Sequence, residues 1–129
     1  MDAVELLGSL GLPQFLGMTV TVAEPERVVA EMTVREEHCT IGHTIHGGAI
    51  MVFADTLGAL GTVLNLREGQ TTTTVESKTN FFAGVPVGSR VIAESTPLHR
   101  GRRTQVWETR LTTEAGRLVA KVTQTQLIM

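Results

Sequence analysis

The sequence predicts an α+β domain in which a curled antiparallel sheet wraps one long central helix. Three observations carry that expectation. Between Thr40 and Leu66 the chain passes from polar, turn-prone residues through His46-Gly47-Gly48 into an almost wholly apolar run. On both sides of this run, apolar and polar residues alternate with a period of two, as half-buried strands do. The resulting order is two strands, a helix, then four strands, which argues for an antiparallel sheet rather than βαβ units. At 129 residues the chain is expected to form a single domain, residues 1–129, large enough to bury a core.

In chain order, Asp2 to Leu10 reads as a short helix with Val4, Leu6, Leu7 and Leu10 on its apolar side. Gly11, Pro13 and Gly17 then break up the next stretch. Met18, Val20 and Val22 alternate with Thr19 and Thr21 as a strand. Pro25 makes the turn, and Val28, Ala30, Met32 and Val34 mark a second strand that completes a hairpin. The central helix is expected to run for about twenty residues, roughly 30 Å, and to be wrapped on most sides because its apolar residues lie all round it. Gly69 is the expected C-cap. Thr71 to Phe82, rich in Thr, Val and Phe, reads as a long strand, followed by the loop Ala83–Gly88 and a strand over Arg90 to Ser95. A basic turn at His99–Arg103, a strand from Val106 to Thr113, a tight turn at Glu114–Gly116 and a last strand from Leu118 to Leu127 complete the chain.

Composition excludes several functions. Eleven basic residues against thirteen acidic ones give a net charge of −2, so no nucleic acid is expected as a partner. The one cysteine, Cys39, rules out an internal disulfide and suits a cytoplasmic location. The first residues lack the basic segment of a signal peptide. The central run carries Asp55, Thr56, Thr62 and Asn65, so it does not read as a membrane span.

Asp55 is the one ionisable residue in the apolar helix. A carboxylate there is costly to desolvate unless it is paired or used. A structural alternative is an Asp that simply accepts a hydrogen bond from a neighbouring Thr. Gly47 and Gly48 sit where the helix starts: either the pair forms no more than a flexible entry turn, or the free N–H groups at such an end hold a polarised carbonyl, with glycine admitting a close approach. Asp55 lies eight residues past Gly47, about 12 Å along the axis, so one chain cannot easily bring both to one carbonyl. Two antiparallel helices across a two-fold axis could. The apolar outer side of the helix likewise calls for a partner copy.

His38, Cys39, His43 and His46 form a small cluster, but their spacing matches no closed zinc pattern and no metal is expected. A Cys39 nucleophile is a weaker reading than an orienting role for His46 at the start of the helix. Thr71 to Thr74 place two hydroxyls on each face of a strand, and one facing the helix could hold a water near Asp55. Arg100, Arg102 and Arg103 could meet substrate phosphates, or be no more than a solvated turn.

The segment HGGAIMVFADTLGALG resembles the hotdog-fold acyl-CoA thioesterases, in particular the PaaI-like, phenylacetyl-CoA thioesterase branch. The likeness rests on His-Gly-Gly opening a helix, an Ala-Asp pair with the acid nine residues past the His, and Gly42 before the motif. VESKTNFFAGVPVGSRV and HRGRRTQVWETRLTTEAGRLVAKVTQTQ extend it over most of the chain. The resemblance implies a hotdog fold and hydrolysis of an acyl-CoA to a free acid and CoA without a cofactor. It places the acid at Asp55, as general base or nucleophile, and the carbonyl-binding N–H at Gly47, beside Gly48. The water-placing hydroxyl falls on Thr74, or on Thr73 if the preceding loop is one residue longer. His46 would fix the start of the helix, and Arg102 and Arg103 would lie among the substrate-binding residues. Where the family commonly has Asn or Gln, six residues before the His, this chain has Thr40. The resemblance also implies a homodimer that pairs into a homotetramer, with sites between subunits. Two other readings stay open: a hotdog dehydratase or hydratase, and a non-catalytic acyl-CoA binding protein.

Overall fold

The computed structural model describes residues 2–129. In chain order the elements are α1 (Ala3–Ser9), α2 (Gly11–Leu16), β1 (Thr19–Glu24), β2 (Arg27–Thr33), a single 3-10 turn at Glu36–His38, α3 (Gly47–Val63), β3 (Thr72–Phe81), β4 (Arg90–Arg100), β5 (Thr104–Thr113) and β6 (Leu118–Ile128). The six strands form one sheet in the order β1-β2-β4-β5-β6-β3, and every pairing is antiparallel. Strands β2 to β6 all touch α3. The α+β architecture of a sheet curled around one long helix is therefore as expected.

The N-terminal helix starts at Asp2, whose Oδ1 accepts the Glu5 N–H at 2.8 Å while the Asp2 N–H donates to Glu5 Oε2 at 3.1 Å, a reciprocal cap. The second helix corrects the expected break at Gly11, Pro13 and Gly17. Pro13 is the third residue of α2, where its missing N–H would have had no intrahelical acceptor. Gly17 closes the helix at φ 68°, its N–H on Gln14 O. Pro13 and Leu16 are buried, so α1 and α2 cover part of the side of α3 that the sequence leaves bare.

Helix α3 has 17 residues, about 25 Å, three short of the expected length. Gly69 is not its C-cap. The helix ends earlier because the Asn65 amide reaches back to Gly61 O at 2.9 Å and across to Pro25 O at 2.7 Å, satisfying terminal carbonyls. Gly69, at φ 84°, belongs to the turn before β3. Ile50, Phe53, Ala54, Leu57 and Leu60 of α3 pack on Val28, Ala30, Val91, Ala93, Leu111 and Val122 of the sheet to form the core.

Two irregularities in the sheet shape the surroundings of α3. Strand β3 has a bulge between Thr74 and Glu76, so Val75 and Glu76 both face outward while Thr74 and Ser77 are half-buried. Strand β4 runs on to Arg100 through a bulge at Pro97–His99, where a proline is tolerated. The expected basic turn thus shrinks to Gly101–Arg103. No described helix is long and apolar enough to cross a membrane.

Candidate active site

Helix α3 and strand β3 run antiparallel, so the start of one lies beside the end of the other. Gly47, the first residue of α3, sits under the Phe81 ring, where a Cβ would stand 3.1 Å from the ring. Eight residues on, Asp55 meets Thr74. Thr74 Oγ1 donates to Asp55 Oδ1 at 2.7 Å, and the Gln124 amide donates to the same oxygen at 3.0 Å. Behind Thr74, the Gln126 amide donates to Thr74 Oγ1 at 2.7 Å, and the single Thr72 hydroxyl proton is shared between Leu127 O at 2.9 Å and Gln126 Oε1 at 3.1 Å. The Gln126 and Thr74 donors point in one direction, so the first polarises the second toward the carboxylate.

Both bonds to the Asp55 side chain fall on Oδ1; Oδ2 has no hydrogen-bond partner among the described residues. The carboxylate is half-buried and lines an open cleft of about 270 Å3 with Met51, Val52, Thr74 and Ser77. Ser77 Oγ is buried there without a partner. The arrangement holds one carboxylate oxygen rigidly and leaves the other free to accept a proton or attack an electrophile.

At the start of α3, His46 is the N-cap: its Nδ1 accepts the Gly48 N–H at 2.7 Å. His46 O accepts from Ala49 at 2.9 Å and Ile50 at 3.2 Å. Gly47 N–H is thus the first-turn donor without an acceptor among the described residues. It is free to hold an oxygen at the positive end of the helix.

The other residues singled out in the sequence are dispersed. Thr73 is exposed on the opposite face of β3 from Thr74 and makes no contact with Asp55. Thr40 is exposed in the loop before α3, its N–H on Thr44 O. The His/Cys cluster is split. His38 is buried with Nδ1 on the Arg35 N–H, His43 pairs with Glu36, and Cys39 donates to Arg35 O at 3.3 Å. Half-burial, then the Glu36 and Glu37 carboxylates, push the Cys39 thiol above its usual 9.0, the wrong direction for a nucleophile. Arg102 lines a polar recess beyond the far end of α3 with Asn65, Arg67, Gln70, Arg100 and Gln105. Arg103 is exposed beside it.

Gln124 and Gln126 were not anticipated. The signal was present: β6 places Ala120, Val122, Gln124 and Gln126 at alternating, fully buried positions, and polar residues at two successive inward positions need a polar partner.

Comparison with known proteins identifies the family and the class of activity. The family model described as "Thioesterase superfamily" matches residues 42–120, more than half of the chain. The proofreading thioesterase EntH of Klebsiella pneumoniae is 37% identical over 103 residues, covering 79% of this chain and 74% of that protein. The 1,4-dihydroxy-2-naphthoyl-CoA hydrolase of Listeria monocytogenes is 28% identical over 111 residues, covering 85% and 89%. Among solved structures, a thioesterase from Haemophilus influenzae superposes with a TM-score of 0.90 at 27% identity, covering all of this chain and 92% of that one. With its sheet curled around α3 and its match across the helix and three of the strands, the chain belongs to the hotdog-fold thioesterase superfamily and is a thioester hydrolase.

Proposed function

We propose that the protein is a PaaI-like acyl-CoA thioesterase that works as a homodimer, paired into a tetramer, in the cytoplasm. In each site the Gly47 N–H of one protomer polarises the thioester carbonyl and Asp55 of the other acts on it. The observation that carries this reading is the half-held carboxylate: Asp55 Oδ1 is fixed by Thr74 and Gln124, while Oδ2 is unpartnered in an open cleft. A merely structural aspartate would be expected to use both oxygens.

Two routes fit. As general base, Asp55 takes a proton from water as its oxygen attacks the carbonyl carbon; the C–S bond then breaks and the proton passes to the leaving thiolate. As nucleophile, Oδ2 attacks the carbonyl itself, expels the thiolate and forms an anhydride that water opens. In both, charge building on the carbonyl oxygen faces Gly47 at the helix N-terminus. Thr74, expected to orient the attacking water, also holds the carboxylate itself through its bond to Asp55 Oδ1. A dimer is supported by the roughly 12 Å between Gly47 and Asp55 on one helix and by the exposed apolar residues Val75 and Phe81 of edge strand β3 and Phe82 just after it.

The test is Asp55→Asn, assayed by thiol release from acyl-CoAs. Turnover should fall ~10²-fold or more with the thermal melt unchanged; turnover near wild type would remove Asp55 from the mechanism. Acyl-CoA binding by wild type without thiol release would favour a binding protein. Enoyl absorbance without thiol release would favour a dehydratase.

A further inference from the structure

Among the described residues, the buried side-chain atoms left without a hydrogen bond are Ser77 Oγ, Thr79 Oγ1 and Gln124 Oε1. All three belong to β3 and β6, the strands that flank the Asp55 side of α3. Gln124 is also one of the two residues that hold Asp55 Oδ1. We propose that Ser77 is a positioning residue for the reaction: its hydroxyl donates to Gln124 Oε1 and so keeps the Gln124 amide on Asp55. The proposal rests on the thioesterase reading and adds one more residue to those that hold the carboxylate.

Register is the first argument. Ser77 stands directly opposite Gln124 in the antiparallel pair of β3 and β6, whereas Thr79 stands opposite Val122. Directly opposed residues carry their Cβ atoms about 4.5–5.5 Å apart on one face of the sheet. The bulge between Thr74 and Glu76 creates this pairing. With strict alternation after Thr74, Glu76 would take the place opposite Gln124.

Complementarity is the second. Ser77 has a proton to give, and Gln124 Oε1 has lone pairs and no donor. A buried polar atom without a partner is destabilising, and one bond between these two removes both defects. The Ser77 hydroxyl reaches Gln124 by a turn about its single side-chain torsion, which has three staggered settings.

The third argument is that other donors are taken. Gln124 Oε1 lies against Gly58, where a Cβ would stand 2.2 Å from it, and the N–H groups of a helix interior already bond the carbonyls one turn back. On α3 the Thr56 and Thr62 hydroxyls donate to Val52 O and Gly58 O. On β3 Thr74 donates to Asp55 Oδ1, and Thr72 to Leu127 O and Gln126 Oε1. The Trp107 N–H donates to Gln105. Of the two free hydroxyls on β3, Ser77 is the one across from Gln124.

The consequence falls on Asp55. Gln124 Nε2 donates to Asp55 Oδ1 at 3.0 Å and to Asp55 O at 3.3 Å. An amide also held at Oε1 resists rotation about its last torsion, so Oδ1 stays fixed and the free Oδ2 keeps its place in the cleft, which Ser77 also lines.

The experiment is thiol release by the full-length protein from acetyl-, hexanoyl-, benzoyl-, phenylacetyl- and palmitoyl-CoA, with thermal melts of each variant. Ser77→Ala should lower kcat about three- to tenfold, the scale of one neutral hydrogen bond, with KM within about twofold and a lower melting temperature. Ser77→Thr, which keeps the hydroxyl on a strand rich in threonine, should recover most of that loss. In a Gln124→Met background, Ser77→Ala should change kcat by less than about twofold. Thr79→Val, opposite Val122, should leave kcat within about twofold of wild type. Wild-type kcat in Ser77→Ala with an equal or higher melting temperature would show that an idle hydroxyl had been removed, and would overturn the proposal. So would a Ser77→Ala loss that persists undiminished beside Gln124→Met, or an equal loss in Thr79→Val. If Asp55→Asn abolishes turnover and Ser77→Ala does not lower it, Asp55 keeps its role and only the Ser77 inference falls. If wild type releases thiol from none of the five, the thioesterase reading fails and the role of Ser77 fails with it.

Discussion

Gly58 has no side chain at the point where Gln124 passes beneath α3: a Cβ there would stand 2.2 Å from Gln124 Oε1 and 2.3 Å from its Cδ. Gln124 reaches Asp55 because Gly58, one turn along the helix, leaves room for it. Gly58→Ala should therefore displace Gln124 from Asp55. The overpacking is expected to cost about 1–3 kcal/mol, read as a lower urea midpoint, and turnover should fall further than stability alone explains. An unchanged midpoint would mean that Gln124 has another rotamer available.

Thr74 and Thr73 provide an internal control. Thr74→Val keeps shape and strand propensity but removes the donor to Asp55 Oδ1. A hydrogen bond to a charged group is worth about 1.5–3 kcal/mol, so kcat should fall by roughly tenfold to a hundredfold. Thr73→Val, on the exposed face, should leave kcat within about twofold. Equal losses would mean that β3 slides in solution.

Gly47→Pro removes the donor proposed to bind the carbonyl and little else. Proline is welcome at the first position of a helix, and His46, at φ −67° and ψ 137°, already has the extended conformation that a residue before proline prefers. The Phe81 ring must give by a few tenths of an ångström. Turnover should fall about 10²–10³-fold. When Gly47→Pro and Asp55→Asn chains are refolded together, half of the dimers are mixed, and each mixed dimer keeps one complete site. Roughly a quarter of wild-type activity should return if the site is shared across a two-fold axis. No recovery, with mixed dimers shown by mass spectrometry, would place each site within one chain.

The Cys39 thiol, raised above 9.0 by half-burial and by Glu36 and Glu37, keeps its proton in the folded chain at a pH where the unfolded chain has lost it. Its contribution to stability is complete below pH 9 and is lost as pH rises through the folded value. Thermal melts from pH 7 to 10.5 should show wild type losing more stability at the alkaline end than Cys39→Ser. Alkylation by iodoacetamide at pH 8 should be slower than that of a free thiol.

Periodicity made α3 and all six strands legible, and a lone carboxylate in an apolar run marked Asp55. What stayed hidden has physical reasons. Helix α2 was masked by Gly11, Pro13 and Gly17, which read as breakers until Pro13 is seen in a first turn and Gly17 at a left-handed close. The end of α3 was misplaced because a side chain, Asn65, does the capping that Gly69 was expected to do. Gln124 and Gln126 became meaningful only with the pairing of β6 to β3. Strand order is a long-range property that local alternation does not carry.

The bulge at Val75 decides which charges keep Asp55 company. With strict alternation after Thr74, the next inward residues would be Glu76 and Lys78, and the cleft would hold a second acid and an ammonium. The extra residue turns Glu76 out to solvent and brings in the uncharged Ser77. One additional peptide unit thus keeps a rival carboxylate away from the only acid that lines this cleft.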